Sequence, residues 1–254
     1  MKGAVNGAMK GTMKGTMKGG YRSEDLARRA IVEAALRMNA LGINSGRAGN
    51  VSMRWHRGGE DGLLITPSAL AWESTTIDDL VWLPVAVPAG ESGDAEQPLR
   101  CEGSRQPSSE WRLHRDLYAT RADAAAIVHA HPPFATTLAC LPRIHAGGIP
   151  AFHYMVAVAG GNDIRCAPYA LFGTRALSDA ARAALQGRRA CLLAQHGLVA
   201  LAGTLEAALE LAVEVEALSR MYWQALQVGD PALLDDAAMA SVHARFGRYR
   251  PDPA

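Results

Sequence analysis

Apolar residues recur at helical spacing from Leu26 through Ala30, Ala34 and Met38 to Leu41, the pattern of a helix with one buried stripe. Ser23 precedes them as an N-cap, Glu24 and Asp25 fill the first turn where the helix dipole favours negative charge, and Gly42 ends the pattern. After a glycine-rich stretch from Gly42 to Gly49, Val51-Ser52-Met53-Arg54-Trp55 alternates apolar and polar, which predicts a half-buried strand. Leu63-Leu64-Ile65-Thr66 predicts another, closed by Pro67. Residues 85–107 mix Pro, Gly, Ser and charge and predict an exposed loop or hairpin. Ser108 or Ser109 suits the cap of a helix running to about Thr120, and Ala125 to Ala130 reads as the next strand. Residues 134–142 and 174–186 predict helices, and Cys191-Leu192-Leu193-Ala194 a short buried strand. Thr204 opens a long helix to about Leu226, with Glu206 near its positive end. Strands alternating with helices predict a single α/β domain over residues 22–254. The first twenty residues repeat M-K-G-x units; glycine at that density opposes a helix and lysine interrupts any apolar leader, so residues 1–21 read as a disordered tail.

Composition narrows the function classes. Apolar residues make up 49% of 254 and charged residues 20%, enough to build a core. The formal charge of +1 gives no electrostatic case for nucleic acid or an anionic membrane. No apolar run reaches the roughly 18 residues of a membrane span. Cys101, Cys140, Cys166 and Cys191 form no C-x-x-C pair and read as reduced thiols of a cytoplasmic protein, packing as small hydrophobes rather than holding a metal.

The sharpest chemical feature is Ile127-Val128-His129-Ala130-His131. Residues two apart on a strand share a face, so this pair delivers two imidazoles to one point, and Pro132 and Pro133 end the strand just beyond it. A catalytic zinc commonly takes three protein ligands. His196, after a buried strand and before Gly197, is the candidate third. On these residues alone the pair also reads as two histidines on a half-exposed strand, and His196 as structural. His56, His145 and His243 read as surface groups, His114 as a helix-face residue and His153 as a hydrogen-bonded core histidine.

Gly49-Asn50-Val51-Ser52, Ile65-Thr66-Pro67-Ser68, Pro107-Ser108-Ser109-Glu110-Trp111, the H-x-H pair, His153-Tyr154-Met155 and Gln195-His196-Gly197-Leu198 stand in a telling order. Through them the chain resembles the class II aldolase/adducin family over about residues 22–250. Ala159-Gly160-Gly161-Asn162, Cys166-Ala167-Pro168-Tyr169-Ala170 and Phe172-Gly173-Thr174-Arg175 are similar to its fuculose-phosphate branch in particular. The resemblance implies a three-layer α/β/α sandwich around a mixed central sheet and a homotetramer with active sites at subunit interfaces. It also implies one zinc ion per subunit and retro-aldol cleavage of a ketose 1-phosphate of the L-fuculose 1-phosphate type. The products would be dihydroxyacetone phosphate and a short aldehyde such as L-lactaldehyde. Alternatives within the family are salvage aldolases for 5-deoxy- or methylthio-ribulose 1-phosphate, zinc epimerases, dehydratases and decarboxylases, and a non-catalytic adducin-like interaction module.

Residue by residue, the resemblance makes His129, His131 and His196 the zinc ligands. Glu110 becomes a resting fourth ligand that, once displaced, moves the proton beside the carbonyl, its pKa raised toward neutrality in a desolvating pocket. Tyr154, reaching into a neighbouring subunit's site, protonates the aldehyde half, and Tyr249 matches another tyrosine that closes over the site. Gly49, Asn50, Ser68, Ser108 and Ser109 supply phosphate donors. Arg47 stands where the fuculose branch has a phosphate-binding threonine, and Ser68-Ala69 where it has Thr-Gly; arginine can hold a phosphate with two parallel hydrogen bonds. Without the resemblance Glu110 reads as a first-turn helix residue, and the two serines as an N-cap.

Overall fold

The structure, a computed structural model, describes residues 20–91 and 95–248. Most of the expected tail and Tyr249 lie outside the described residues. Helix α1 runs Glu24–Ala40, and Ser23 Oγ accepts from the Leu26 N–H at 3.3 Å as expected of its cap. The buried stripe is Ala27, Ile31, Ala34, Ala35 and Met38, whereas Leu26 and Leu41 are about half exposed. The expected and observed stripes share Ala34 and Met38, so periodicity alone could not choose between them. Tyr21, ahead of the helix, donates its hydroxyl to Glu206 at 2.6 Å.

A seven-stranded sheet forms the middle layer. Its strands are β1 (Asn50–Arg54), β2 (Gly62–Ile65), β3 (Val81–Pro84), β4 (Ala126–Ala130), β7 (Cys166–Ala167), β8 (Ala190–Leu193) and β9 (Gly197–Ala202), and β5 (Ile149–Pro150) pairs with β6 (Asp163–Ile164) outside it. The order is β3-β2-β1-β4-β9-β8-β7, antiparallel except for the β7–β8 pair, hence a mixed sheet. One face packs on α1, α3 (Pro133–Ala139) and α6 (Leu205–Val228); the other packs on α2 (Trp111–Thr120) and α5 (Arg175–Ala184). Each fully buried aliphatic side chain in these two layers contributes about 1.5–3 kcal/mol. The three-layer α/β/α sandwich around a mixed sheet is therefore present.

Because helices cover both faces, β1 is buried at all five positions rather than half-buried. Val51 and Met53 face the α1 side, and Ser52 and Asn50 face α2. The helix expected over 134–142 is two helices. Pro142 holds Leu141 extended (ψ 130°), so α3 stops at Ala139 and α4 (Pro142–Gly147) starts afresh. Strands β3 and β9 and helix α7 (Asp236–Phe246) were not foreseen; β3 and most of β9 are buried and carry no alternation to betray them. The 85–107 segment is exposed over 99–106 but anchored to α2: Trp111 Nε1 donates to Glu96 O at 3.1 Å, Arg112 to Ala95 O at 2.9 Å, and buried Arg115 pairs with buried Glu91.

The fold places two ends of secondary structure beside each other. Strand β4 lies between β1 and β9, its His129 opposite Asn50 on one side and Val199 on the other. Helix α3 begins directly after His131 with Pro132 as a cap that offers no side-chain acceptor. Glu216 of α6 fills that role, taking the Phe134 and Ala135 N–H groups at 2.8 and 2.7 Å.

Candidate metal centre and cavity

Glu110, His129, His131 and His196 each offer a ligand atom, all within 4.8 Å of one another. The three ring centroids are 4.8–4.9 Å apart and the rings stand edge to face. His129 Nδ1 lies 2.8 Å from the Leu198 carbonyl, which can only accept, so that nitrogen carries the proton. The opposite nitrogen, Nε2, is then the atom free to ligate whenever the ring is neutral. It faces His131 Nε2 at 2.9 Å and Glu110 Oε2 at 3.0 Å. Glu110 Oε1 is buried with no hydrogen-bond partner, 3.4 Å from His196 Nε2. Three imidazole nitrogens and an unpartnered carboxylate oxygen converging on one point favour a positive charge there, which a borderline divalent cation can supply in place of a proton on His129. The donor set therefore fits a divalent metal.

Local backbone geometry brings these groups together. Gly49 has φ +72°, and a Cβ there would lie 2.6 Å from the His129 carbonyl oxygen. A Cβ on Gly197 would lie 2.3 Å from the Ala130 carbonyl oxygen and 2.9 Å from the His131 ring. Gln195 takes φ +57° in the β8–β9 turn that presents His196. Buried Asn44 accepts from the His131 N–H at 3.3 Å and donates to Ala48 O at 2.5 Å, tying the glycine-rich stretch to the end of β4.

The electrostatics keep most of the ligands ready. Burial, then the His129 and His196 imidazoles, pushes the His131 pKa down to about 3; burial and His129 push His196 down to about 4. Both rings are neutral near pH 7 and able to ligate. Burial opposes charge on His129, but the Glu110 carboxylate outweighs it and raises that pKa. Burial alone would raise Glu110, as the sequence suggested. The His129 charge, the His129 hydrogen bond, His196 and Asn50 together outweigh it and hold the carboxyl below the usual carboxylate range. Glu110 is thus an anion here, not a near-neutral acid.

A cavity of about 360 Å³ opens over the cluster. Arg47, Gly49, Asn50, Ser68, Ala69, Ser108, Ser109, Glu110, His131 and His196 line it, while His129 lies buried behind them. Two extended segments form one wall: Ser68 N–H donates to Gln106 O and Ser108 N–H to Thr66 O, each at 3.0 Å. Neither serine is the N-cap of α2. Glu110 holds that position without using its side chain as a cap, and Ser108 Oγ takes the Glu110 N–H at 3.3 Å. Both amide groups of the Asn50 side chain are engaged, with Glu110 and with His114. Arg47 donates to the Ala69 carbonyl at 3.2 Å, and Ala69 keeps the left-handed φ (+57°) that a glycine would adopt freely.

Tyr154 is not brought to this cavity. It is half exposed, beside His153 and Phe246 of α7 (centroids 4.8 and 6.4 Å). His153 is half-buried and caps its own turn through the Met155 N–H rather than sitting in the core. Among the cysteines only Cys191 is fully buried, and all four are free. Sequence reasoning missed four contributors: Tyr169 and Phe172, exposed aromatics on the rim, and His114 and Asn44, buried supports. Aromatics on either side of a turn before a helix hint at the first pair. Nothing in the glycine-rich stretch marks Asn44.

Residues 29–223 match the family model described as Class II Aldolase and Adducin N-terminal domain. A 5-methylthioribulose-1-phosphate/5-deoxyribulose-1-phosphate aldolase of Rhodospirillum rubrum is 49% identical over 222 residues, 87% of this chain and 91% of that protein. An L-fuculose phosphate aldolase of Escherichia coli (strain K12) is 43% identical over 222 residues, 87% of this chain and 94% of that one. The solved structure of an L-fuculose 1-phosphate aldolase superimposes with TM-score 0.76 at 33% identity, covering 90% of this chain and all of the other. No helix among the described residues is long and apolar enough to cross a membrane.

Proposed function

The chain belongs to the class II aldolase and adducin N-terminal domain family, and from that premise we propose that it is a zinc-dependent aldolase splitting a ketose 1-phosphate into dihydroxyacetone phosphate and a short aldehyde. The observation that carries this reading is Glu110 converging with three imidazoles beneath a cavity lined by Ser68, Ser108, Ser109 and Arg47. A zinc ion held by His129, His131 and His196 would supply Lewis-acid polarisation of the substrate ketone. Glu110, an anion within reach of the same point, moves a proton at the carbon beside the carbonyl. Ser68, Ser108, Ser109 and the backbone around Gly49 hold the phosphate, with the Arg47 guanidinium turned to it beyond its bond to Ala69. Asn50 serves this site through Glu110. Tyr154, exposed away from its own cavity, fits a role across a subunit boundary in a homotetramer. The protein is read as cytoplasmic.

Two substrate types have support. The E. coli relative favours L-fuculose 1-phosphate, which releases L-lactaldehyde. The R. rubrum relative, at higher identity, favours 5-methylthio- or 5-deoxy-ribulose 1-phosphate, and Tyr169 and Phe172 at the rim suit an apolar aldehyde end. Both relatives are named aldolases, which supports cleavage over epimerisation, dehydration, decarboxylation or an adducin-like role. The test couples dihydroxyacetone phosphate to L-lactaldehyde, glycolaldehyde, acetaldehyde and methylthioacetaldehyde. The larger kcat/KM for lactaldehyde assigns the first substrate; for acetaldehyde or methylthioacetaldehyde, the second. No condensation with any of them, or purified protein without stoichiometric divalent metal, overturns the reading.

A further inference from the structure

Behind Glu110 runs a line of five buried polar side chains. Glu110, His114 and Tyr118 stand four apart along one side of α2; Asn50 and Ser52 stand two apart on one face of β1. None is more than 5% exposed. Asn50 Nδ2 donates to Glu110 Oε2 at 2.9 Å, and Asn50 Oδ1 meets His114 Nε2. His114 Nδ1 is 2.6 Å from Ser52 Oγ, which is 2.9 Å from the Tyr118 hydroxyl.

Only one direction of donation satisfies the line. The carboxylate accepts only, so Asn50 must turn its amide NH₂ to Glu110 and its carbonyl to His114. His114 must then donate from Nε2. Burial pushes its pKa down to about 3, so the ring is neutral and Nδ1 accepts. Ser52 donates to that nitrogen and takes its own hydrogen bond from Tyr118. The opposite imidazole tautomer would let the amide turn over and point Oδ1 at the carboxylate.

We propose that His114 is a positioning residue: by locking the Asn50 amide it fixes Oε2 of Glu110 and leaves the unpartnered Oε1 as the oxygen that handles the substrate proton. This rests on the reading of Glu110 as the working carboxylate. The role needs no contact between His114 and substrate, and His114 does not line the cavity.

The test uses the metal-loaded full chain. With ¹⁵N-labelled histidine, long-range ¹H–¹⁵N spectra show His114 as the Nε2–H tautomer, unchanged from pH 6 to pH 8; an Nδ1–H tautomer or a ring that titrates in that range overturns the proposal. His114→Leu lowers kcat about 10–100-fold, as loss of an outer support does, with KM and metal content as in the wild type. His114→Gln, whose amide nitrogen reaches the place of Nε2, restores most of it. A wild-type kcat in His114→Leu, a loss that falls on KM or metal content, or a glutamine variant no better than leucine each overturn it. Where His114→Leu fails to fold, the tautomer and the glutamine variant still decide. Glu110→Gln run alongside separates the two readings: wild-type turnover there removes Glu110 itself, whereas its loss with an unimpaired His114→Leu removes only the positioning role.

Discussion

At the floor of the cavity, His129, Glu110 and Asn50 are at most 5% exposed, and partners from β1, β9 and α2 hold them. At the rim, Arg47, Ser68, Ala69, Tyr169 and Phe172 are exposed, and the Arg47 side chain is held by a single bond to the Ala69 carbonyl. The floor cannot change one residue without leaving a buried charge or an unpaired donor, which costs several kcal/mol. The rim can, because water replaces whatever is lost. Arg47 and Ala69, two of the positions where the resemblance leads one to expect other residues, fall on the rim and touch each other. On the proposed reading the metal ligands are thus tied to the sheet, and the phosphate contacts to exposed loops whose change would leave the sheet undisturbed.

The contrast can be broken most severely at Glu110. Glu110→Gln retains the metal and loses about 10²–10⁴-fold in kcat, read by metal analysis and by proton exchange at carbon 3 of dihydroxyacetone phosphate; full exchange would move the chemistry elsewhere. Acid should strike the floor next. The folded pKa of His114, about 3, lies below its unfolded value of about 6.5, so the folded state binds fewer protons in that window. Its stabilising contribution is present above pH 6.5 and is lost as pH falls toward 3, by up to about 1.4 kcal/mol per pH unit. Denaturant midpoints from pH 4 to 7 show this slope, and His114→Gln flattens it. Gly197→Ala drives a methyl into the Ala130 carbonyl and costs about 1–3 kcal/mol, with weaker metal retention, measured by thermal unfolding and metal titration. At the rim the effects shrink. Arg47→Ala raises KM for the sugar phosphate about tenfold, the worth of one modest hydrogen bond to an anion, at unchanged kcat. Ala69→Gly relieves a left-handed alanine, shifts stability by less than about 1 kcal/mol and leaves turnover alone.

How much of this was readable depended on how local the signal was. His129 and His131 advertise themselves because a strand's period of two is visible within three residues. His196 is a candidate from its place at a strand end and Glu110 only through resemblance, since neither shows in isolation that its chain segment ends at the same point. The α1 stripe was misplaced by one position where two overlapping series shared Ala34 and Met38, and the larger Ile31 decided between them. Strand β1 reads as half-solvated because Ser52 and Arg54 are polar; helix α2 covers them, and Ser52 bonds to His114 and Tyr118 while Arg54 donates to the Tyr118 carbonyl. The His114 line is legible only to a reader who already knows that α2 lies on β1. Then E-x₃-H-x₃-Y on the helix and N-x-S on the strand match in spacing. The direction of the Glu110 pKa is not legible in the sequence, because burial pushes it up while imidazoles distant in the chain pull it down.

The place of β4 between β1 and β9 also sets the order in which the candidate metal site is assembled during synthesis. Residues up to Pro150 bring the carboxylate and two histidines out of the ribosome, but one long edge of β4 stays bare until residues 197–202 emerge. Only then does the Leu198 carbonyl set the His129 tautomer and His196 close the ligand set. A chain ending before β9 lacks both His196 and the Leu198 carbonyl beside His129, and so lacks the complete ligand set.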